Sequence, residues 1–151
     1  MKKYMKSVCV FIFLLTNAAL LKAQFITAYT FSQSTGTYSS LVSPTVLASG
    51  TGLDNERYQV SIPFNFLMDG VGFSSVYVAM NGFISFGNTD PGTGYWMINS
   101  GATGFRVVSG FDNDLGTLNA STELSYQTTG VAPNRVFTVQ WSHMGDRVIQ
   151  H

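Results

Sequence analysis

Every second residue from Tyr58 to Phe66 is apolar, and this alternation constrains the fold more than any other feature of the chain. A period of two is typical of a β-strand with one buried face, because successive side chains point to opposite sides of the backbone. After residue 24 no window has a sustained helical period of apolar residues. The alternation therefore predicts an all-β protein in which this strand needs a second layer to cover its apolar face.

Two turn signals follow the alternating strand, Asp69-Gly70 and Asn81-Gly82. Both are typical of two-residue type I′ hairpin turns, in which each central residue has a positive φ. Two such turns would create a three-strand meander with four predicted pairs: Phe66 with Phe73, Ile62 with Tyr77, Tyr77 with Phe86, and Ala79 with Ile84. This register places Phe73, Tyr77, Ala79, Ile84 and Phe86 on the apolar face of the first strand and leaves Val76, Val78 and Met80 on the opposite face.

Pro63 interrupts the first strand and has no backbone N–H to give to a ladder. In the predicted register it lies opposite Val76 at a non-hydrogen-bonded position, where the missing donor is tolerated. Proline within a sheet is otherwise confined to edge strands and bulges. The sequence thus predicts an edge strand or a bulge at residue 63.

Further short strands are predicted at Phe25 to Phe31, around Leu41 and Val46, and at Phe105 to Phe111. A late hairpin is predicted to pair Glu123 to Thr128 with Arg135 to Trp141 across the loop from Gly130 to Asn134. Short strands separated by turn residues favour an antiparallel β-sandwich, of jelly-roll or immunoglobulin-like type, over a parallel sheet.

The first 23 residues have the composition of a secretory signal peptide. A basic stretch containing Lys2, Lys3 and Lys6 precedes a mostly apolar run from Val8 to Leu21, and Ala23 supplies the small residue at the predicted cleavage point. We therefore expect a cleaved signal peptide at 1–23 and a β-sandwich domain at 24–151 in a secreted or cell-surface protein.

The zero formal net charge of the whole chain hides an uneven distribution. All four lysines precede residue 24, whereas residues 24–151 contain four arginines and eight acidic residues, a net charge of about −4. Scattered arginines in an acidic domain argue against nucleic acid as a partner, and no membrane span is expected after the signal. The one cysteine, Cys9, lies within the predicted signal, so the exported domain is expected to be stabilised by its core without disulfides.

Two longer motifs resemble a known family. Ile62-Pro63-Phe64-Asn65-Phe66 followed by Val76 to Gly87, and Val107 to Leu115 followed by Ser125 to Trp141, resemble the β-sandwich domain found after the signal peptide of many secreted proteins of the Bacteroidota type. The pattern is also similar to nidogen-like extracellular domains. The resemblance implies a fold more than an activity, because its motifs are turns and core positions.

The resemblance also implies a longer protein. Members of this family often continue into repeats and a C-terminal signal for type IX secretion, and in their pattern further strands follow the residue equivalent to Trp141. Only residues 142–151 follow it here, so the domain is expected to be incomplete at its C-terminal end.

Few residues have the character of a functional site. Asp112 and Asp114 could provide oxygen ligands to calcium, although Asp residues also bond their own backbone in turns. Tyr95 and Trp96, in a Gly-rich loop, are the candidate ligand-binding residues, because exposed aromatic faces stack on sugars or anchor protein partners. The histidines, His143 and His151, and the remaining polar residues show no complete catalytic or zinc-binding pattern, and no cofactor is expected apart from calcium.

These features predict a non-enzymatic extracellular interaction or spacer module at the surface of a cell, with a protein or a glycan as its partner. Two alternatives remain open. One is a carbohydrate-binding module that uses Tyr95 and Trp96. The other is an accessory domain of a secreted hydrolase whose catalytic part lies outside these residues.

Overall fold

A computed structural model of the chain describes residues 32–68, 70–94, 104–111 and 113–147. By backbone contacts the chain divides into Met1–Thr37 and Tyr38–His151. The described part of the first unit, residues 32–37, is exposed and has no regular secondary structure. All strands described below belong to the second unit. The strand predicted at Phe25 to Phe31 lies outside the described residues, as do the signal peptide, Asp69 and His151.

The described residues contain nine antiparallel strands, which form three sheets. They are β1 (Thr45–Ser49), β2 (Arg57–Met68), β3 (Val71–Ala79), β4 (Phe83–Phe86), β5 (Arg106–Ser109), β6 (Leu115–Thr117), β7 (Glu123–Thr129), β8 (Val136–Ser142) and β9 (Met144–Asp146). The larger sheet is the meander β2-β3-β4-β5, the second has the order β1-β7-β8, and β6 pairs with β9 in a short ribbon. The predicted all-β antiparallel sandwich is confirmed, and the described residues contain no helix long and apolar enough to cross a membrane.

The core lies between the four-stranded and the three-stranded sheet. Val60, Ile62, Val76, Val78 and Met80 of the larger sheet and its β3–β4 turn form one buried cluster with Leu124 of β7. Tyr126, Val139 and Trp141 cover the cluster from the smaller sheet. The indole Nε1 of Trp141 donates a hydrogen bond of 2.8 Å to the carbonyl oxygen of Ala79, which links the two sheets directly.

The first predicted hairpin is correct at its turn and wrong farther along. Met68 pairs with Val71 and Phe66 with Phe73, as a two-residue turn requires. The register then shifts between Ser61 and Phe66, so that four residues of β2 lie opposite Ser74 alone and Gln59, rather than Ile62, pairs with Tyr77. Pro63 lies inside this bulge, and β2 is an edge strand, so both features predicted from the proline are present. The predicted pairing of Pro63 with Val76 is wrong, because Val76 pairs with Val60.

The second predicted hairpin is wrong by one residue. Ala79 pairs with Phe83 and Val76 with Phe86, which leaves a three-residue turn of Met80, Asn81 and Gly82 in which only Gly82 has a positive φ, 77°. The predicted pairs of Tyr77 with Phe86 and of Ala79 with Ile84 are therefore absent. A slip of one residue exchanges the faces of a strand. The odd shift of three residues at the β2 bulge reverses the faces of β3 relative to β2, and the slip at this turn keeps Ile84 and Phe86 of β4 on the side of Val76. Val76, Val78 and Met80 therefore lie in the core, whereas Ala79 packs on the other side with Phe83, Phe105 and Val107.

The late hairpin agrees with its prediction. β7 pairs with β8 from Thr129 and Val136 at the loop to Glu123 and Ser142 at the far end. Leu124 pairs with Trp141 and Tyr126 with Val139, which places the alternating apolar side chains together on the core side. The predicted strand around Val46 is β1, and the strand predicted from Phe105 is the shorter β5. The short strands β6 and β9 have no counterpart among the predicted strands.

Candidate functional site

Of the four residues singled out from the sequence, only Asp114 lies among the described residues. Tyr95, Trp96 and Asp112 lie outside them. The surroundings of Tyr95 and Trp96 are therefore not described. Of the two predicted calcium ligands, only Asp114 has described neighbours.

Asp114 lies immediately before β6, and the pairing of β6 with β9 brings a second carboxylate close to it. Leu115 pairs with Asp146, and the backbone N–H of Arg147 donates to the Asp114 carbonyl oxygen at 2.9 Å. Asn113 donates a side-chain hydrogen bond of 2.7 Å to Asp146. Arg147 also lies 3.4 Å from an oxygen of Asp54, which comes from the loop between β1 and β2. We call Asp54, Asp114 and Asp146 the acidic cluster.

Burial, the neighbouring carboxylates and Arg147 all act on Asp114 in the acidic cluster. Burial raises the pKa of Asp114 above its usual value, and the nearby carboxylates of Asp54 and Asp146 raise it further, while Arg147 opposes the shift. One oxygen of Asp54 and one of Asp114, both Oδ1, are buried and have no hydrogen-bond partner among the described residues. Oxygens of this kind suit a hard cation. The three carboxylates of the acidic cluster do not by themselves converge into a group that could hold a metal ion, and the described residues contain no other such group.

The His143 ring forms a hydrogen bond with its own neighbour, Ser142. Its Nδ1 lies 2.9 Å from the hydroxyl of Ser142, while its backbone carbonyl accepts a hydrogen bond from Thr122. In a catalytic triad the histidine bridges a nucleophile and an orienting carboxylate. Within the described residues no carboxylate contacts the His143 ring, so this contact is local and does not build a triad.

An apolar cleft that the sequence analysis did not predict lies between the two sheets. Its volume is about 300 Å³. One wall comes from the four-stranded sheet, and the other comes from the start of β8 and the residue before it. The lining residues are Ile62, Phe64, Phe66, Val76, Ile84, Phe86, Val108, Arg135, Val136 and Phe137. Phe66, Val108 and Val136 remain 40%, 51% and 55% exposed, so the cleft opens to solvent.

The β2 bulge shapes one wall of this cleft. Since four residues of β2 lie opposite one residue of β3, the strand leaves the regular ladder at Ile62 and rejoins it at Phe66. Phe64 lies within the bulge, and the ring of Phe66 stacks on Phe86 at a centroid distance of 5.0 Å. Bulges often redirect side chains beside binding sites. Here the bulge gives the cleft an aromatic wall.

Arg135 is the charged residue of the cleft. Its Nη1 donates a hydrogen bond of 3.0 Å to the carbonyl oxygen of Pro63 in the bulge. Its guanidinium carbon lies 5.0 Å from the centre of the Phe64 ring, a cation–π arrangement. These contacts hold the guanidinium at the cleft without neutralising it.

The four described arginines differ in their partners. Arg57 forms a bidentate ion pair with Asp90, in which Nε and Nη2 donate to the two carboxylate oxygens at 2.6 and 3.0 Å. Arg147 pairs with Asp54. Arg106 lies over the ring of Phe73, and neither it nor Arg135 has a carboxylate within 4 Å in the described part of the chain.

Part of the cleft wall could be predicted from the sequence. The alternation that includes Phe64 and Phe66 and the bulge expected at Pro63 indicated an irregular strand with aromatic side chains. Nothing in the sequence pairs Arg135 with that wall, since 72 positions separate it from Pro63.

Comparison with known proteins identifies the family. The profile of the NIDO-related family matches residues 28–149, which include every described strand of the three sheets. The chain belongs to the NIDO-related family. This family consists of non-catalytic modules and indicates an extracellular protein, in agreement with the nidogen-like part of the resemblance. Neither the curated proteins nor the solved structures contain a significant match to the chain.

Proposed function

We propose that this NIDO-related chain is a non-enzymatic interaction module of an exported, surface-associated protein. The family match over residues 28–149 carries the proposal, because it covers the whole sandwich and indicates an extracellular, non-catalytic module. The basic and apolar segment from Met1 to Ala23 supports export through a cleaved signal peptide. The resemblance of the sandwich motifs to secreted proteins of the Bacteroidota type further supports the proposal that the chain is part of a type IX secretion cargo protein.

Fractionation of the cells that make the protein tests this proposal. We expect the protein in the cell-surface or culture-medium fraction, with Gln24 as the first residue of its N-terminal peptide by mass spectrometry. Replacing Leu14 and Leu15 with arginine should interrupt the apolar run and retain the uncleaved chain inside the cell. Recovery of the unaltered protein in the cytoplasm with Met1 or Lys2 at its N-terminus would contradict export.

The acidic cluster supports calcium binding as a second candidate property. The Oδ1 atoms of Asp54 and Asp114, which have no hydrogen-bond partner among the described residues, are the observation in its favour. Asp112, two positions before Asp114 in the sequence, carries a further carboxylate. Ca²⁺ should raise the melting temperature of the protein at about 1 mM, the range in which extracellular calcium modules bind. The variant D114N should lose this response, whereas D90N, which alters an exposed carboxylate paired with Arg57, should keep it. An unchanged melting temperature of the unaltered protein in Ca²⁺ and in chelator would exclude the site.

Glycan binding by Tyr95 and Trp96 remains a prediction. Replacing both residues with alanine should abolish retention on immobilised glycans if these rings form the binding surface. Retention equal to that of the unaltered protein would exclude the carbohydrate-binding alternative. The alternative of an accessory domain in a secreted hydrolase is decided by whether the gene encodes a catalytic domain together with these residues.

A further inference from the structure

Two features distinguish the apolar cleft between the sheets from a simple gap in the packing of the core. Its walls are almost entirely aromatic and aliphatic, yet Phe66, Val108 and Val136 leave it open to water. Apolar surface that remains exposed beside a concavity marks a binding site more often than a packing fault. The second feature is the cation at its wall, Arg135.

Arg135 still has donors available to a ligand. A guanidinium carries five N–H donors, and one hydrogen bond to the Pro63 carbonyl uses one of them. The protein contributes no carboxylate to Arg135 within the described residues, although it does so for Arg57 and Arg147. A guanidinium matches the two oxygens of a carboxylate in a bidentate geometry, and the exposed Arg135 side chain at the edge of the cleft is accessible to such a ligand.

We propose that the cleft binds a small amphipathic carboxylate, with its apolar body between the sheets and its carboxylate on Arg135. The volume sets the size of this ligand. A cavity of about 150 Å³ holds benzene, so about 300 Å³ accommodates roughly twice as many heavy atoms, which is the size of a medium-chain fatty acid. Charge complementarity selects an anion over a neutral or cationic apolar molecule.

Binding of decanoate to the purified protein, measured by isothermal titration calorimetry, tests the proposal. Decanol and decylamine have the same chain with a neutral or a positive head group. We expect decanoate to bind at least tenfold more tightly than either, since only its carboxylate pairs with Arg135. Equal affinity for decanoate and decanol, or no binding of decanoate, would overturn the proposal.

Two matched pairs of variants locate the site. R135Q should weaken decanoate binding at least tenfold, whereas R106Q, which removes the same charge from an arginine stacked on Phe73, should leave it within about twofold. V108W should fill the cleft from its exposed rim and abolish binding, whereas V46W, at a similarly exposed site on β1, should not. Because Val108 and Val46 are exposed, both tryptophan variants should melt near the unaltered protein. A larger loss of affinity in R106Q than in R135Q, or full binding by V108W, would assign the ligand elsewhere.

Ligand binding in the cleft and export of the protein are independent properties. A protein found in the cytoplasm could still bind decanoate in the cleft. An exported protein that fails to bind decanoate would retain its extracellular role and lose only this ligand.

Discussion

At the scale of single residues, Gly130 shows most clearly where a backbone position admits no side chain. It begins the loop between β7 and β8 with a φ of 78°, a left-handed conformation that favours glycine. A Cβ at this position would lie within van der Waals overlap of the Asn134 carbonyl oxygen, which belongs to the backbone of the same loop. Gly92 has nearly the same φ, 81°, and open space around it.

We therefore expect G130A to lose more stability than G92A. The cost of the left-handed backbone is shared by both variants, so their difference isolates the steric clash, about 1–3 kcal/mol for an overpacked site. Urea denaturation of both variants measures this difference in the free energy of unfolding. Equal losses would mean that the loop moves aside without cost.

Asp114 gives a prediction about pH. The pKa of its carboxyl is raised above 3.8 in the folded protein, so the ionised form is disfavoured and the fold loses stability as the pH rises through the raised value. In the presence of a chelator, D114N should be more stable than the unaltered protein at pH 7, and the advantage should vanish as the pH falls below 3.8. Thermal melts from pH 3 to pH 7 measure this trend. An advantage that grows toward acid pH would contradict the assigned direction.

At the scale of strands, Trp141 connects the two sheets through its hydrogen bond to Ala79. W141F should lower the free energy of unfolding by about 1–2 kcal/mol, because one partly buried hydrogen bond and some packed area are lost. Y126F is the matched control, since Tyr126 also covers the core and its hydroxyl has no hydrogen bond among the described residues. We expect Y126F to unfold within about 0.5 kcal/mol of the unaltered protein in urea. Equal effects of the two variants would show that the Trp141 hydrogen bond contributes nothing measurable.

The strands also show what a single sequence can and cannot determine. The strand from Tyr58 to Phe66 and the hairpin of β7 and β8 were predictable, because in both the apolar residues occur at every second position and so lie on one face. In β3 both faces carry apolar residues, with Val76 and Val78 on one face and Phe73 and Tyr77 on the other. The shift at the β2 bulge and the length of the β3–β4 turn then decide which side is buried. Asn81-Gly82 is compatible with the two-residue turn that was expected and with the three-residue turn that forms, which also has glycine at its left-handed position.

The bulge was predictable in its location and not in its size. Pro63 indicated that the ladder breaks there, but a shift of three positions depends on how β2 packs against the smaller sheet. The cleft follows from that shift and from Arg135, which reaches the bulge from the other sheet. A contact over so great a separation in sequence leaves no local pattern, so the candidate ligand site became visible only in the folded structure.

At the scale of the whole molecule, the sandwich and its cleft both depend on how the two larger sheets face each other. The two larger sheets close over Val60, Ile62, Val76, Val78, Met80 and Leu124, and the cleft is the open end of the same interface. If the sheets met through the other face of β3, Tyr77 would replace the valines in the core, and the wall formed by Ile84 and Phe86 would face away from Phe137. The inward face of β3 is therefore the central structural claim.

Nuclear Overhauser effects between methyl and aromatic protons test this claim most directly. The structure predicts that the methyl groups of Val76 and Val78 lie in the same core cluster as those of Leu124, so contacts should connect the valines of β3 to the smaller sheet. It also predicts no contact between the Tyr77 ring and Leu124, since Tyr77 pairs with Gln59 and Ser85 on the opposite face. Contacts from Tyr77 to Leu124, with none from Val76 or Val78, would contradict the fold and the cleft together.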